Sequence, residues 1–447
     1  MSVKEDVTKT FGDDIILTGN AIVDKKSVII PVSPALDIVL NGGIPEGSFV
    51  VLTGQPKCGK DLAITETVYT PSGPIEMGEI KIGDIICNAN GGTSKVIGVY
   101  PQGKKDVYKV TFNDGTTSLC GLEHNWTVSR NNRKSKYFTT TLQEIIQEGL
   151  YYSDRPKWKI PLTKPVYFKQ KNKLPIDPYI LGCLIGDGGL TQKTPRLTTA
   201  DQFIAQKFQR FCQNRGLSFK HIDKYDYTIS GNNNSSTIVK NTLTKDLKKI
   251  GLMGCSSHTK FIPRSYKYSS IQNRLKLIRG LMDTDGYNDN GKRAEYASTS
   301  IRLVMDVKEV LESLGYSVSG QERMTKCNNK SFLSYRLYIH GNNIDKLFLL
   351  PRKISGYQRQ KPILHRTIKN IEKMDPVLTQ CIELDSPDGL FLTNNFIVTH
   401  NTTTSLDFAA TAQKEQYQGN LKAPREVYYL NIEGRSEEHT SELQSRV

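Results

Sequence analysis

The sequence predicts a multidomain chain. An all-β module is split around an α+β domain of two similar halves, and both are set between fragments of an α/β nucleotide-binding unit. Three observations carry this reading. Residues 54–60 read Gly-Gln-Pro-Lys-Cys-Gly-Lys, a G-x-x-x-x-G-K phosphate loop whose closing Ser/Thr is replaced by Asp61. The missing hydroxyl appears at Thr402, and removing the 341 residues 61–401 restores GQPKCGKT. Within that insert, alternating β-type residues between Gly, Asn and Asp turns flank a middle segment with two apolar runs ending in Asp-Gly.

The 447 residues are enough for roughly two to four domains with cores of their own. Hydrophobic and charged contents of 37% and 23% are ordinary for soluble globular protein. No apolar run approaches the roughly 18 residues of a membrane span, and the opening MSVKED is no signal peptide. Eight cysteines without a C-x-x-C pair argue against a disulfide framework or zinc site and for a reducing cytoplasm. The net charge of +15 is concentrated: residues 161–375 hold 37 Lys/Arg against 17 Asp/Glu. A basic middle of this kind implies a polyanionic partner.

The outer unit comprises 1–60 and 402–434. The run SFVVLT at 48–53 is a buried-strand pattern leading into the glycine loop, a helix follows from Thr402, and EVYYLNIE at 426–433 reads as the next strand. The rejoined order resembles RecA-family recombinases of the phage UvsX-like branch, over about 90 residues. The resemblance implies ATP and Mg²⁺ held through Gly54, Gly59, Lys60, Thr402 and Glu433, with single-stranded DNA and a self-filament as partners. Interrupted between Lys60 and Thr402, the loop lacks its Mg²⁺ hydroxyl, so ATPase activity is expected only after removal of the insert and in a full-length host. An ordinary ATPase with a large lid fails on the same ground. Residues 435–445, RSEEHTSELQS, resemble a translated sequencing adapter, and 435–447 are read as a non-native tail.

The insert opens at Asp61 and continues through MGEIKIGDIICNANGG. These residues, the stretch from Asn113-Asp114-Gly115 to His124, and FIVTHN at 396–401 resemble inteins, with a Hint-type splicing domain in two parts, 61–170 and 372–401. Asn401 can cyclise onto its own carbonyl, His400 can assist, and the Thr402 hydroxyl can accept an acyl group. Asp61 departs from the usual Cys or Ser, because a carboxylate attacking the preceding carbonyl would give a high-energy anhydride. Trp126 two residues after His124, Cys381 heading CIELDSPDGLF, and Thr402 together resemble class 3 inteins. That resemblance implies that Cys381 attacks the Lys60–Asp61 bond and passes the acyl group to Thr402, while His124 polarises the amide; no cofactor is needed. Gly121 stands where the family often has a hydroxyl residue, and Gly389 where it often has His.

Residues 171–371 carry the twin motif, ILGCLIGDG at 180–188 and IRGLMDTDG at 278–286, with acidic residues 98 positions apart. Both match the LAGLIDADG pattern at its glycine and final Asp-Gly. Small residues let two such helices cross closely, and each then delivers a carboxylate, Asp187 and Asp285, to one spot. The resemblance is to DOD-type homing endonucleases. It implies Mg²⁺ on Asp187 and Asp285, Lys260 as charge stabiliser, and double-stranded DNA held by phosphate contacts and read in the major groove. The run STSIRLVMDVKEVLESLGYSV reads as strand end, amphipathic helix and strand.

The expected whole is a self-splicing precursor in bacterial or phage-host cytoplasm. Its endonuclease would cut the insert-free allele, and the alternatives are a non-cutting DNA-binding domain or an inactive intein.

Overall fold

In the computed structural model the described residues are 29–30, 44–45, 61–131, 136–169, 173–232, 240–290, 293–327, 330–354, 365–386 and 388–400. The chain divides into two compact units, Met1–Cys58 with Thr403–Val447, and Gly59–Thr402. In the first, Ile29–Ile30 pairs antiparallel with Ile44–Pro45. The expected nucleotide-binding residues Gly54, Gly59, Lys60, Thr402 and Glu433, and the terminal Asn401, lie outside the described residues.

In the second unit, period-2 burial along Thr93–Phe112 and the stretch Thr379–Leu384 marks strands with one face on a core. The two 20-residue strands Thr93–Phe112 and His365–Leu384 pair antiparallel, from Ile368 opposite Phe112 to Leu384 opposite Val96. Leu62–Ala63 lies between His365–Leu384 and Thr117–Cys120, and the latter pairs back to Thr93–Phe112. These four strands therefore close on themselves within an eight-stranded sheet. A second sheet sets Ile397–His400, Leu390–Thr393, Thr67–Thr70 and Gly73–Glu76 side by side. Phe112, Trp126, Trp158, Ile368 and Leu384 anchor the shared core. The expected all-β module also contains one short helix, α1 (Leu142–Glu148), because Thr141 and Glu144 form a reciprocal capping box at its start.

The middle of the chain is α+β. Helix α2 (Pro178–Asp187) begins where Asp177 accepts from the amides of Tyr179 and Ile180, with Pro178 at its first position. Then come α3 (Gln202–Asn214), α4 (Thr242–Lys249), α5 (Arg264–Lys267), α6 (Ile271–Asp285), α7 (Ile301–Ser313) and α8 (Pro351–Ile354). Ser270 caps α6 by accepting from Asn273, and Gly188 and Gly286 end α2 and α6 in extended conformations. Each of these helices feeds a four-stranded antiparallel sheet. One runs Gly188–Gly189, Arg196–Thr198, Asp226–Ser230, Ser218–Asp223; the other Gly286–Asn288, Ala294–Ser298, Lys330–His340, Ser317–Cys327. The identical order makes the halves pseudo-equivalent. Strand, α7 and strand also occupy the run read that way in the sequence.

The α2–α6 crossing explains the glycine spacing. A Cβ on Gly182 would overlap the carbonyl of Leu277, and one on Gly280 would overlap that of Tyr179. Only hydrogen fits at the crossing, so the backbones touch and the helix ends meet.

The two cores are tied together by buried cations. Arg274 of α6 donates to the carbonyls of Ser269, Ser313 and Val166 and lies 4.8 Å from the Phe168 ring. Arg366 reaches Asp114 at 2.5 Å, Glu312 of α7 at 3.1 Å, and the carbonyls of Phe396 and Asn395 at 3.1 and 2.6 Å.

Candidate active sites

The first site forms around residue 61. Thr379 lies opposite Ala63, Gln380 opposite Leu62, and Leu62 opposite Cys120. One further step along both ladders sets Asp61 between Cys381 on one side and Gly121 on the other. The Gly121 side is closed by its amide donating to the Asp61 carbonyl at 3.0 Å. Leu62 faces the core, so Asp61 and its two neighbours project from the opposite face. Asp61 is only 1% exposed, and its Oδ2 is buried without a hydrogen-bond partner among the described residues. A Cβ on Gly121 would overlap the Asp61 Oδ1. The glycine noted as a departure is what makes room for the unusual first residue.

His124 is fully buried, and its Nε2 meets the Thr399 hydroxyl at 2.5 Å. Trp126 stands edge-on to that imidazole at 5.4 Å and to Phe112 at 5.8 Å, fixing the ring by packing. The nearby Cys120 thiol is fully buried, which pushes it well above the usual range. The Glu66 carboxyl is pushed up to about 7 by burial despite the hydrogen bond from Ser118. His400 is half-buried and pairs with Leu390. Thus Asp61, Gly121, Cys381, His124, Thr399 and His400 bring both ends of the insert to one place. Sequence reasoning missed Thr399; its place two residues before Asn401 was the available signal.

The second site lies at the ends of α2 and α6. Asp187 is half-buried, and burial pushes its carboxyl up against the pull of Lys260 and Lys353. Asp285 is pushed up to about 7 by the surrounding protein and by Asp187, although it keeps an exposed surface through which water tempers the effect. Two carboxylates close enough for Asp187 to raise Asp285, both reachable from solvent, are an oxygen-donor pair that suits a hard divalent cation. Asp283 is turned inward, accepting from Tyr179 and from the amides of Leu349 and Leu350.

Lys260 donates to the carbonyls of Leu184, Gly186 and Gly188 at 3.3, 2.9 and 2.8 Å. Lys353, unremarked in the sequence, does the same for α6, donating to Met282, Asp283, Thr284 and Gly286 at 2.7–3.1 Å. Both ammoniums cap helix ends while lying near the carboxylates, and burial lowers the affinity of each for its proton. The equivalence of the two lysines is invisible in sequence because they sit at unrelated offsets from their helices.

Residues 272–349 match the LAGLIDADG-like domain family. The chain therefore contains a LAGLIDADG-like domain. A replicative DNA helicase DnaB of Mycobacterium intracellulare is 28% identical over 385 residues, covering 80% of this chain and 61% of the helicase. That of Mycobacterium leprae (strain TN) is 29% identical over 115 residues, 26% of this chain and 19% of the helicase. The chain thus spans about three fifths and one fifth of these curated relatives. Among solved structures, the Msm DnaB1 intein splicing domain bound with zinc is 10% identical, at TM-score 0.25 over 76% of this chain and 99% of that one. I-DmoI in complex with DNA and Ca is 18% identical, at TM-score 0.28 over 40% and 95%. The recombinase host expected from the flanks finds no support among these relatives, which are helicases. No described helix is long and apolar enough to cross a membrane.

Proposed function

We propose that residues 61–401 are a self-splicing intein carrying a homing endonuclease, inserted in the phosphate loop of a P-loop ATPase. The observation that carries the splicing reading is the convergence of Asp61, Cys381, His124 and Thr399, because an excision reaction needs both junctions at one centre.

In this reading the Cys381 sulfur attacks the Lys60 carbonyl carbon, and the Lys60–Asp61 C–N bond breaks to leave a thioester and a free amine. His124, held by Thr399 and Trp126, polarises the amide. The Thr402 hydroxyl takes the acyl group from sulfur, Asn401 cyclises to release the insert, and an O-to-N shift restores the peptide bond. This order is that of class 3 inteins.

The paired Asp187 and Asp285 support phosphodiester cleavage in double-stranded DNA. A bound Mg²⁺ would supply Lewis-acid stabilisation and a more acidic water there. The residues' own part is to hold that cation at the meeting point of two rigid helices, while Lys260 and Lys353 offset negative charge. For the host, the broken loop supports a nucleotide-binding protein acting on DNA. The relatives favour a helicase over the recombinase suggested by the flanking residues.

Expression followed by intact-mass measurement tests the reading. Splicing gives a free 341-residue product and a joined flank. Cys381→Ala should abolish thioester formation, and a variant that still splices sinks the assignment of the nucleophile. Asp187→Asn should stop Mg²⁺-dependent cutting of insert-free DNA while splicing continues. If the wild type binds that DNA without cutting it, the domain is a binding module only.

A further inference from the structure

We infer that Asp61, the residue that cannot serve as nucleophile, is the general base that activates Cys381. The inference rests on the splicing reading above. Three observations point to it. Continuing the register of Gln380 with Leu62 sets Cys381 directly opposite Asp61, and opposed residues project from the same face of an antiparallel pair. The Asp61 side chain is almost wholly buried and its Oδ2 lacks a donor among the described residues, while the Cys381 thiol faces the Ile382 carbonyl at 3.7 Å, so the thiol turns from that carbonyl to reach the carboxylate. A buried acceptor left unmatched is costly, so such a group calls for a purpose. Finally, the carboxylate occupies space that any side chain at 121 would fill, so Gly121 builds the cradle in which it sits.

The proton inventory closes without a co-reactant. The Cys381 thiol gives its proton to the Asp61 carboxylate, and the sulfur electron pair forms the S–C bond to the Lys60 carbonyl carbon. As the tetrahedral adduct collapses, the C–N bond breaks, and the carboxyl passes the proton to the leaving α-amine of its own residue. The base is regenerated, and nothing is oxidised or reduced. A residue at the insert's first position is suited to this task because its side chain and the leaving nitrogen share one Cα.

The test is made on the full chain, measuring thioester formation at the upstream junction by hydroxylamine cleavage and release of the downstream flank by mass. Asp61→Asn keeps the shape but not the base. It should slow the upstream step roughly a hundredfold, the scale of general-base assistance, while downstream release by Asn401 is unchanged. An unaltered upstream rate, or an equal fall in both steps, overturns the inference. A double-mutant cycle gives a second reading: Gly121→Ala should slow the upstream step in the Asp61 chain, yet add nothing in an Asp61→Ala background. Additive losses would mean that the cradle has another function. Persistence of the thioester in Cys381→Ala would instead defeat the splicing assignment itself, so the two failures remain distinct.

Discussion

Arg366→Met removes the charge that joins the strand entering the splicing domain to helix α7 while keeping most of the stem. The side chains of Arg366 and Asp114 are each 1% exposed, and that of Glu312 is fully covered. The variant leaves two buried carboxylates without their cation and the carbonyls of Asn395 and Phe396 without their donor. Breaking a buried ion pair costs about 3–5 kcal/mol and an orphaned carbonyl about 1–3. Because these losses overlap, the expected total is roughly 4–6 kcal/mol. That corresponds to a fall in Tm on the order of 10–20 °C.

The pH dependence gives a sharper signature. Burial raises Glu312 to about 7 against an ordinary 4.5, with Arg366 pulling the other way. A folded-state carboxyl with a raised pKa contributes stability below its unfolded value and loses it as pH rises through about 7. Removing Arg366 takes away the restraint, so the deficit of the variant should be larger at pH 8 than at pH 5. Burial pushes Asp114 up too, but Arg366 and Thr116 outweigh it and hold the carboxyl low, so in the parent its titration falls below this window. Thermal unfolding of the splicing-deficient Cys381→Ala chain at the two pH values measures both quantities. Arg366→Met with Glu312→Gln should recover part of the loss. A Tm within 2 °C of the parent, or a deficit that grows in acid, would refute the bridge as the tie between the domains.

Three further outcomes follow from the sites. Mg²⁺ binding to the paired carboxylates must displace the proton that Asp285 holds up to about 7, so affinity measured calorimetrically should rise about fivefold between pH 6 and 7, level off above about pH 8, and vanish in Asp187→Asn. Gly280→Val forces a side chain into the Tyr179 carbonyl and should cost about 1–3 kcal/mol in chemical unfolding, with loss of cutting because the two aspartates no longer meet. His124→Ala should slow upstream cleavage by roughly 10²–10⁴-fold in a timed mass assay, leaving the DNA-binding half unaffected.

What was legible in the sequence divides by the range of the interaction. The α2 and α6 helices could be read because their information is local: a glycine where backbones touch, an aspartate five residues later, and a glycine to end the helix. The all-β character of the segments flanking the twin motif was readable for the same reason, through alternation and turn residues. Thr399, Lys353 and Arg366 were not, because each acts on a group far along the chain and belongs to a residue type that is usually an unremarkable surface or strand residue. Gly121 marks the boundary between the two cases. Taken singly it reads as the loss of a useful hydroxyl. Beside Asp61 it is a steric fit, since a side chain at 121 would force the carboxylate to shift from its place. Two departures from a family pattern that occupy one volume are better explained as one adaptation than as two defects. The insert's first residue and its glycine partner should therefore be exchanged together, never singly, in any attempt to convert this site to one that begins with a nucleophile.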